Sequence, residues 1–530
     1  MQTCIGNTVR TNLAGQRCVS NAPHPNVRPT FRICRSAAVA SAVQTTPEDK
    51  WLARTVKDVA TPPSLAGLRE QANSAIATLR MPSTRNEDYR FTDITPLLRT
   101  DVQLAPAGAP VSPEVLQRHS LPGAAAVAVL VDGRLRPELS RGLGRGAAGE
   151  GAYVGPLEGA PQEVAEQLGC LSGPRGGPFA TLNSGLAAEV VVVAVRPGVA
   201  LGGPVFVLHL ASGSSSSSSS SSTSAPASAP RVLLHAGAAS SVELVQEFAQ
   251  LEGAPAAAEP APASSSDATA AAAAGTAAAA ADGVSASPSA SPSASPASAP
   301  PRYLCTSVAE VLLEEGASVR HAYVQRESSA AFHFHGSLVR QAARSEYRLT
   351  EAAVGGGLAR HDLTILQAGP ETRTDLSHFL LCGPHQLHDL HSRLQLDHRG
   401  GQASQLHKCI VSHASGRGVF DGNVKVNRGA QQTDAGQLSR NLLLVPLATV
   451  NVKPNLQIVA DDVKCTHGCA VSDLRDEELF YFRARGISAE AARQALVFSF
   501  GSEVVQRVGH PELQQRVQAD VAATLGRLEG

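Results

Sequence analysis

Gly237-Ala-Ala-Ser-Ser-Val-Glu-Leu-Val245, Gly316-Ala-Ser-Val-Arg-His-Ala-Tyr-Val324 and Gly357-Leu-Ala-Arg-His-Asp-Leu-Thr-Ile365 follow one plan: a glycine turn, then a strand alternating apolar and polar residues. Around them lie further short strand signals: Val127–Val131, Val190–Val195, Val205–Leu208, Val242–Val245, Val424–Val426 and Leu442–Val445. From about 124 to 471 the strands are short, frequent and not alternated with helices, which argues against βαβ units. A sandwich closes within about 100–250 residues. More than 300 residues of this pattern suits a solenoid that adds coil upon coil.

Helical periodicity flanks this core. Residues 48–123 form an N-terminal helical region, with Ser64 as an N-cap and Leu65, Leu68, Ala72, Ala75, Ile76 and Leu79 at helical spacing before Pro82. Residues 472–530 form a C-terminal one. There Gly486 is a natural stop after Asp476–Arg485, and Ser488 caps a second helix with Leu496, Phe500, Val504 and Val508 on one face. The expectation is a helical hairpin. The fold class is therefore mainly β, a β-solenoid core with helical regions at both ends.

Residues 1–47 contain five arginines and no acid, and hydroxyl residues are common; this is the composition of a removable transit peptide, with cleavage near Cys34–Ser41. The Ser-rich stretch 212–230 and the Ala/Ser/Pro-rich stretch 253–301 bury too little apolar surface to offset their ordering entropy, and read as disordered inserts.

Composition excludes several functions. The chain has 530 residues and a formal charge of −1, with no basic excess to hold a nucleic-acid backbone. No stretch approaches the roughly 20 uninterrupted apolar residues of a membrane-spanning helix. Nine cysteines are too sparse for a secreted disulfide framework. No phosphate-cradling loop is present, so no nucleotide is expected on this chain. A β-helical enzyme acting on carbohydrate through groove carboxylates is the alternative, but aromatics are only 4% and paired acids concentrate at Asp461-Asp462.

Twelve of 17 histidines lie between His321 and His467. His333 and His335 share a strand face, and His385, His388 and His391 recur every third residue. The densest chemistry is Asp461-Asp-Val-Lys-Cys-Thr-His-Gly-Cys469. Cys465 and His467, two residues apart on an extended backbone, share a face, and thiolate with imidazole suits iron or zinc as well as a buried structural strand.

These residues carry a resemblance. Arg417–Gly422, Ala430–Ala435, Arg440–Leu444, Lys453-Pro454, Ala460–Gly468 and Leu479–Ile487 resemble the SufB/SufD family of the SUF machinery for iron–sulfur cluster assembly. Phe179–Asn183, Arg85–Phe91 and Gln386 with Asp389 and His398 are also similar to it. The chain looks like the SufD branch: it lacks a cysteine across Gln437–Leu444 and reads Cys465-Thr-His-Gly where SufB has Glu-His-Glu. Tyr89 stands for the usual Trp, Gln457 for a common Glu, and Cys469 for Ala.

The resemblance implies a right-handed parallel β-helix and a non-catalytic scaffold in a complex with a SufB-like subunit and a SufC-like ATPase. The iron–sulfur cluster would be held transiently, shared with SufB, and passed to apoproteins. It implies His467 as the cluster-assembly residue; Cys465 and Cys469 beside it are the further candidates from the residues themselves, with His467 and Cys465 as candidate transient metal ligands. It puts the SufC contact on the C-terminal helices, at Leu479, Phe480, Tyr481 and Arg485. With the leader, it points to the plastid stroma.

Overall fold

The computed structural model describes residues 47–213, 224–251, 300, 302–474 and 476–526. The leader (but for Pro47) and nearly all of the 253–301 insert lie outside the described residues.

The core is a parallel β-helix of two facing sheets. Successive strands alternate between them: Leu304–Leu313, Phe332–Gln341, Leu358–Gln367, Leu387–Leu396, Arg417–Val426 and Thr449–Ile458 build a 12-stranded sheet. Ser241–Gln250, Ser318–Arg326, Glu346–Ala353, Arg373–Cys382, Gln402–Val411, Thr433–Leu443 and Val463–Ser472 lie in a 10-stranded one. Starts at Phe332, Leu358, Leu387, Arg417 and Thr449 advance by 26, 29, 30 and 32 residues. That drift, absorbed in the turns, is why the repeat is degenerate in sequence.

Within each turn, alternate side chains point into the bore. Val311, Val339, Ile365, Leu394 and Val424 from one sheet meet Val319, Leu349, Leu376 and Ala403 from the other. The long insert is flanked by Phe248, within the strand Ser241–Gln250, and Tyr303, just before Leu304–Leu313; the two strands lie in opposite sheets.

The outer faces are covered too. On the 12-stranded sheet, Trp51, Leu97, Phe179 and Leu182 pack against Leu304, Phe334 and Leu358. Phe179 stacks on Phe334 with ring centroids 3.5 Å apart. On the 10-stranded sheet, Val497, Val504, Leu513 and Val517 cover Val324, Phe379 and Ile410.

Several expectations are corrected. Ser64 is not an N-cap: a 3₁₀ turn, Pro63–Leu65, precedes the Ala66–Ile76 helix, and the Ser64 hydroxyl bonds Glu158 instead. The first insert is shorter than 212–230, because Ala225–Ser228 is a strand pairing with Val102–Leu104 and Leu304-Cys305. Its small side chains gave no hydrophobic signal, yet Ala227 is fully buried.

The β region also contains a helix, Gly177–Leu186. It is anchored through Asn183, whose amide donates to the carbonyls of Pro230 and Thr306 and accepts from Arg231. Arg231 in turn pairs with Glu310 in a wholly buried ion pair at 2.8 Å.

The C-terminus has three helices rather than a hairpin: Asp476–Arg483, Ala489–Val505 and Pro511–Gly526. Ser488 caps the second, its hydroxyl accepting from the Ala491 amide, as expected. Gly486 (φ 81°) ends the first in a Schellman arrangement, Ile487 N–H to Phe482 C=O and Gly486 N–H to Arg483 C=O. The buried face of the second helix runs through Ala492, Val497, Gly501, Val504 and Val505; Leu496 and Phe500 are only half-buried. Gly501 is what permits this, since a Cβ there would lie 2.9 Å from the Phe379 ring.

Candidate functional site

The solenoid is unfinished at one end. Thr449–Ile458 and Val463–Ser472 are the last strands of their sheets, each ten residues long, with no described strand beyond. No residue of either is fully buried. Such full-length free edges are templates for pairing with another chain.

Strand register decides what this end presents. In a parallel ladder, partners in register point to the same side. One inward row reads Tyr347, Thr374, Ala403, Ala435, Cys465. The next reads Leu349, Leu376, Gln405, Gln437, His467. The third reads Glu351, His378, His407, Ser439, Cys469. Thus Cys465, His467 and Cys469 all aim along the bore at its open mouth, on a floor of buried Ala435, Gln437 and Ser439. His467 and Cys469 are exposed and Cys465 is half-buried. Burial and the Asp434 charge push the Cys465 thiol up, and burial pushes up that of Cys469. Both therefore stay protonated until a metal or a cationic neighbour arrives.

Two of the rows are polar, which the sequence pattern did not single out. Glu351, fully buried, accepts from Nδ1 of His361 at 2.9 Å and of His378 at 2.8 Å. Burial opposes its charge, but these imidazoles hold its carboxyl below the ordinary carboxylate range. On one side the chain continues through His361, Ser337, His335 and Ser307. On the other it runs His378 to Gln405 (3.3 Å) to Gln437 (2.9 Å), beneath His467. A buried acid and glutamines at the inward, alternate positions of their strands were the available signal.

Among the described residues, two groups of three donors lie close enough to share an ion, and neither includes Cys465 or His467. In Cys305–Glu327–His333 the Tyr323 hydroxyl already holds Nε2 of His333 at 2.6 Å, while Nδ1 lies 2.5 Å from Glu327 without hydrogen-bond geometry. In Asp88–His391–Asp421, Arg393 holds Asp88 at 2.7 Å and Lys453 faces Asp421 at 3.4 Å.

The evenly spaced histidines separate: His385 sits exposed in a turn at φ 57°, His388 points into the bore, and His391 faces outward to Asp389 at 3.0 Å. Asp389 is itself a structural anchor, binding Arg360 at 2.6 Å and the Thr92 hydroxyl. Tyr89 is buried, with the Arg360 guanidinium 3.9 Å from its ring centroid, so the aromatic role survives the departure from Trp. Gln457 is exposed on the last strand of the 12-stranded sheet.

The expected docking residues lie on the Asp476–Arg483 helix and its stop. Phe480 is 72% and Tyr481 55% exposed, while Leu479 is half-buried. Arg485 stacks 3.5 Å from the Tyr481 ring centroid and donates to its carbonyl.

Fold and site together define a parallel β-helix completed at one end and left open, chemically armed, at the other. The chain belongs to the SufBD family of iron–sulfur cluster assembly proteins. Residues 290–500 match the SufBD core domain of the SUF system for FeS cluster assembly. Over 463 residues the chain is 35% identical to the chloroplastic protein ABCI7 of Arabidopsis thaliana, covering 87% of this chain and 86% of that one. It is 24% identical to the iron–sulfur cluster assembly protein SufD of Escherichia coli K12 over 455 residues, 84% of this chain and 89% of that one. A SufBD family protein of Synechocystis is 39% identical over 220 residues, 42% of this chain and 48% of that one. Among the described residues no helix is long and apolar enough to cross a membrane.

Proposed function

We propose that this chain is a SufD-type scaffold subunit that completes its solenoid against a SufB-like subunit and contributes His467 to the place where the two share a nascent iron–sulfur cluster. The observation that carries this is the meeting of two unpaired ten-residue edge strands with an inward row of Cys465, His467 and Cys469. In this reading iron and sulfide are cargo, held transiently and released to apoproteins. His467 offers a ring nitrogen to iron or a proton to incoming sulfide. Cys465 and Cys469 flank it as thiols that become ligands only on losing a proton.

The exposed Phe480 and Tyr481, with Leu479 and Arg485, form the dock for a SufC-like ATPase, which supplies the energy this chain has no phosphate loop to capture. The Arg-rich leader, together with the chloroplastic relative, supports a plastid stroma location. The carbohydrate-enzyme reading loses ground because both outer sheet faces, where a groove would run, carry packed helices and loops.

The test is co-expression with SufB- and SufC-type partners followed by anaerobic measurement of bound iron and sulfide. His467→Ala is expected to leave complex yield and ATPase activity intact and sharply reduce cluster. Native cluster yield in that variant and in Cys465→Ser and Cys469→Ser would confine the chemistry to the partner.

A further inference from the structure

The hydrogen bonds inside the bore have a direction. A carboxylate only accepts, so His361 and His378 each give Glu351 their Nδ1–H. The amide nitrogen of Gln405 faces Nε2 of His378, which therefore accepts. The same amide nitrogen donates to the Ser392 hydroxyl at 2.9 Å. Gln405 is thereby oriented with its Oε1 toward Gln437, whose amide nitrogen donates to it at 2.9 Å.

Gln437 is thus turned so that its nitrogen points back into the protein. Its Oε1 is buried and has no hydrogen-bond partner. The space is built for this amide: a Cβ on Gly422 would lie 2.2 Å from its Nε2. The next residue along its row is His467, in register on the adjacent strand, one strand spacing of about 4.8 Å away.

We infer that Gln437 is the positioning residue for His467: its orphan carbonyl oxygen accepts one ring N–H of His467 once the partner covers the open end. In the free chain Gln437 Oε1 is already shielded from solvent, and water competes only for the exposed His467 ring. When the interface closes, a buried acceptor without a donor is costly, and His467 is the residue its row presents. The bond fixes the tautomer. The ring nitrogen that donates to Gln437 is turned away from the interface, and the other, with its lone pair, faces the shared site. This is the second-sphere arrangement by which an N–H acceptor orients a metal-binding or proton-accepting imidazole. Glu351, three hydrogen bonds back, sets the polarity of the whole row. The inference rests on His467 acting at the cluster site.

The experiment uses the three-protein complex, reconstituted anaerobically with ferrous iron and sulfide. The variants are Gln437→Leu, which removes the acceptor together with the amide donor, and Gln437→Glu, which keeps an acceptor at the same atom. Each is made alone and with His467→Ala. Nitrogen-15 spectra of imidazoles labelled only in this chain report the tautomer. Expected are a cluster-formation rate about tenfold lower in Gln437→Leu, the value of one hydrogen bond, and substantial recovery in Gln437→Glu. His467 should pass from one tautomer to a mixture in Gln437→Leu, and that variant should add no loss in the His467→Ala background.

An unchanged tautomer in Gln437→Leu, or an equal loss with and without His467, overturns the inference. Native cluster formation in His467→Ala would instead refute the role of His467 itself, and the tautomer would still report on Gln437. If Gln437→Leu assembles poorly, Gln437→Met, unbranched and of equal length, carries the same comparison.

Discussion

The two ends of the solenoid are built on opposite rules. At the N-terminal end the sheets finish in antiparallel two-residue strands, Arg134-Leu135 and Gly144-Arg145, which leave almost no edge. There Val191–Val195 is buried at every residue. At the C-terminal end both sheets stop on ten-residue parallel strands, and Val463–Ser472 is buried at none. Native chains shorten or cover their edges to prevent pairing. The open end is the one that the proposed partner would complete. Polar rows run through the interior of the solenoid, and those of Glu351, Gln405 and Gln437 lead to the open mouth.

The largest test of this contrast is acid. Burial holds the imidazoles of His209, His321 and His407 down at about 3 and that of His388 at about 4. Each stays neutral in the folded chain but takes up a proton in the unfolded chain below pH 6.5. Their stabilisation is therefore complete above pH 6.5 and is lost as pH falls toward 4 and then 3, at about 1.4 kcal/mol per pH unit for each. Denaturant titrations at pH 7.5 and 5.5 are expected to show a drop of several kcal/mol. A pH-independent midpoint would mean these histidines are hydrated.

Next in size, Glu351→Leu leaves two buried imidazoles without their acceptor and is expected to cost about 3–5 kcal/mol, read from the urea midpoint. Leu438→Met, at an exposed position on Thr433–Leu443 of the same sheet, serves as the control with a change under about 0.5 kcal/mol.

A smaller effect belongs to the helical cover. Gly501→Val forces side-chain atoms against the Phe379 ring and is expected to cost about 1–3 kcal/mol. Limited proteolysis should then cut first within 489–526. Truncation after Ser472 would expose Phe379 and Ile410; of the three C-terminal helices only Asp476–Arg483 has no buried residue. The smallest structural effect is at that helix: Phe480→Ala and Tyr481→Ala should move the melting temperature by less than about 0.5 kcal/mol equivalent while weakening capture by the SufC-type ATPase.

Much of this was legible in the sequence where local chemistry decides structure. Glycine turns before alternating strands gave the solenoid, and Ser488 and Gly486 gave the helix boundaries. The shared face of Cys465 and His467 followed from strand alternation; that Cys469 joins it came from the register. What was not legible depends on contacts distant in the chain. Ala225–Ser228 is a strand because Val102–Leu104 and Leu304-Cys305 receive it. Gly177–Leu186 is a helix fixed by Asn183 on two remote carbonyls. Gln437 drew no notice because its meaning lies in register with Gln405 and His467, a pairing set by turn lengths that vary from coil to coil.

The most direct test is amide hydrogen exchange across Thr449–Ile458 and Val463–Ser472, measured on the free chain and in complex with a SufB-type subunit. Fast exchange is expected in the free chain at the outward-facing amides of both strands, and strong protection of those amides, Cys465 to Cys469 included, in the complex. Equal exchange in the two states, with the partner demonstrably bound, would contradict this expectation and place the interface elsewhere.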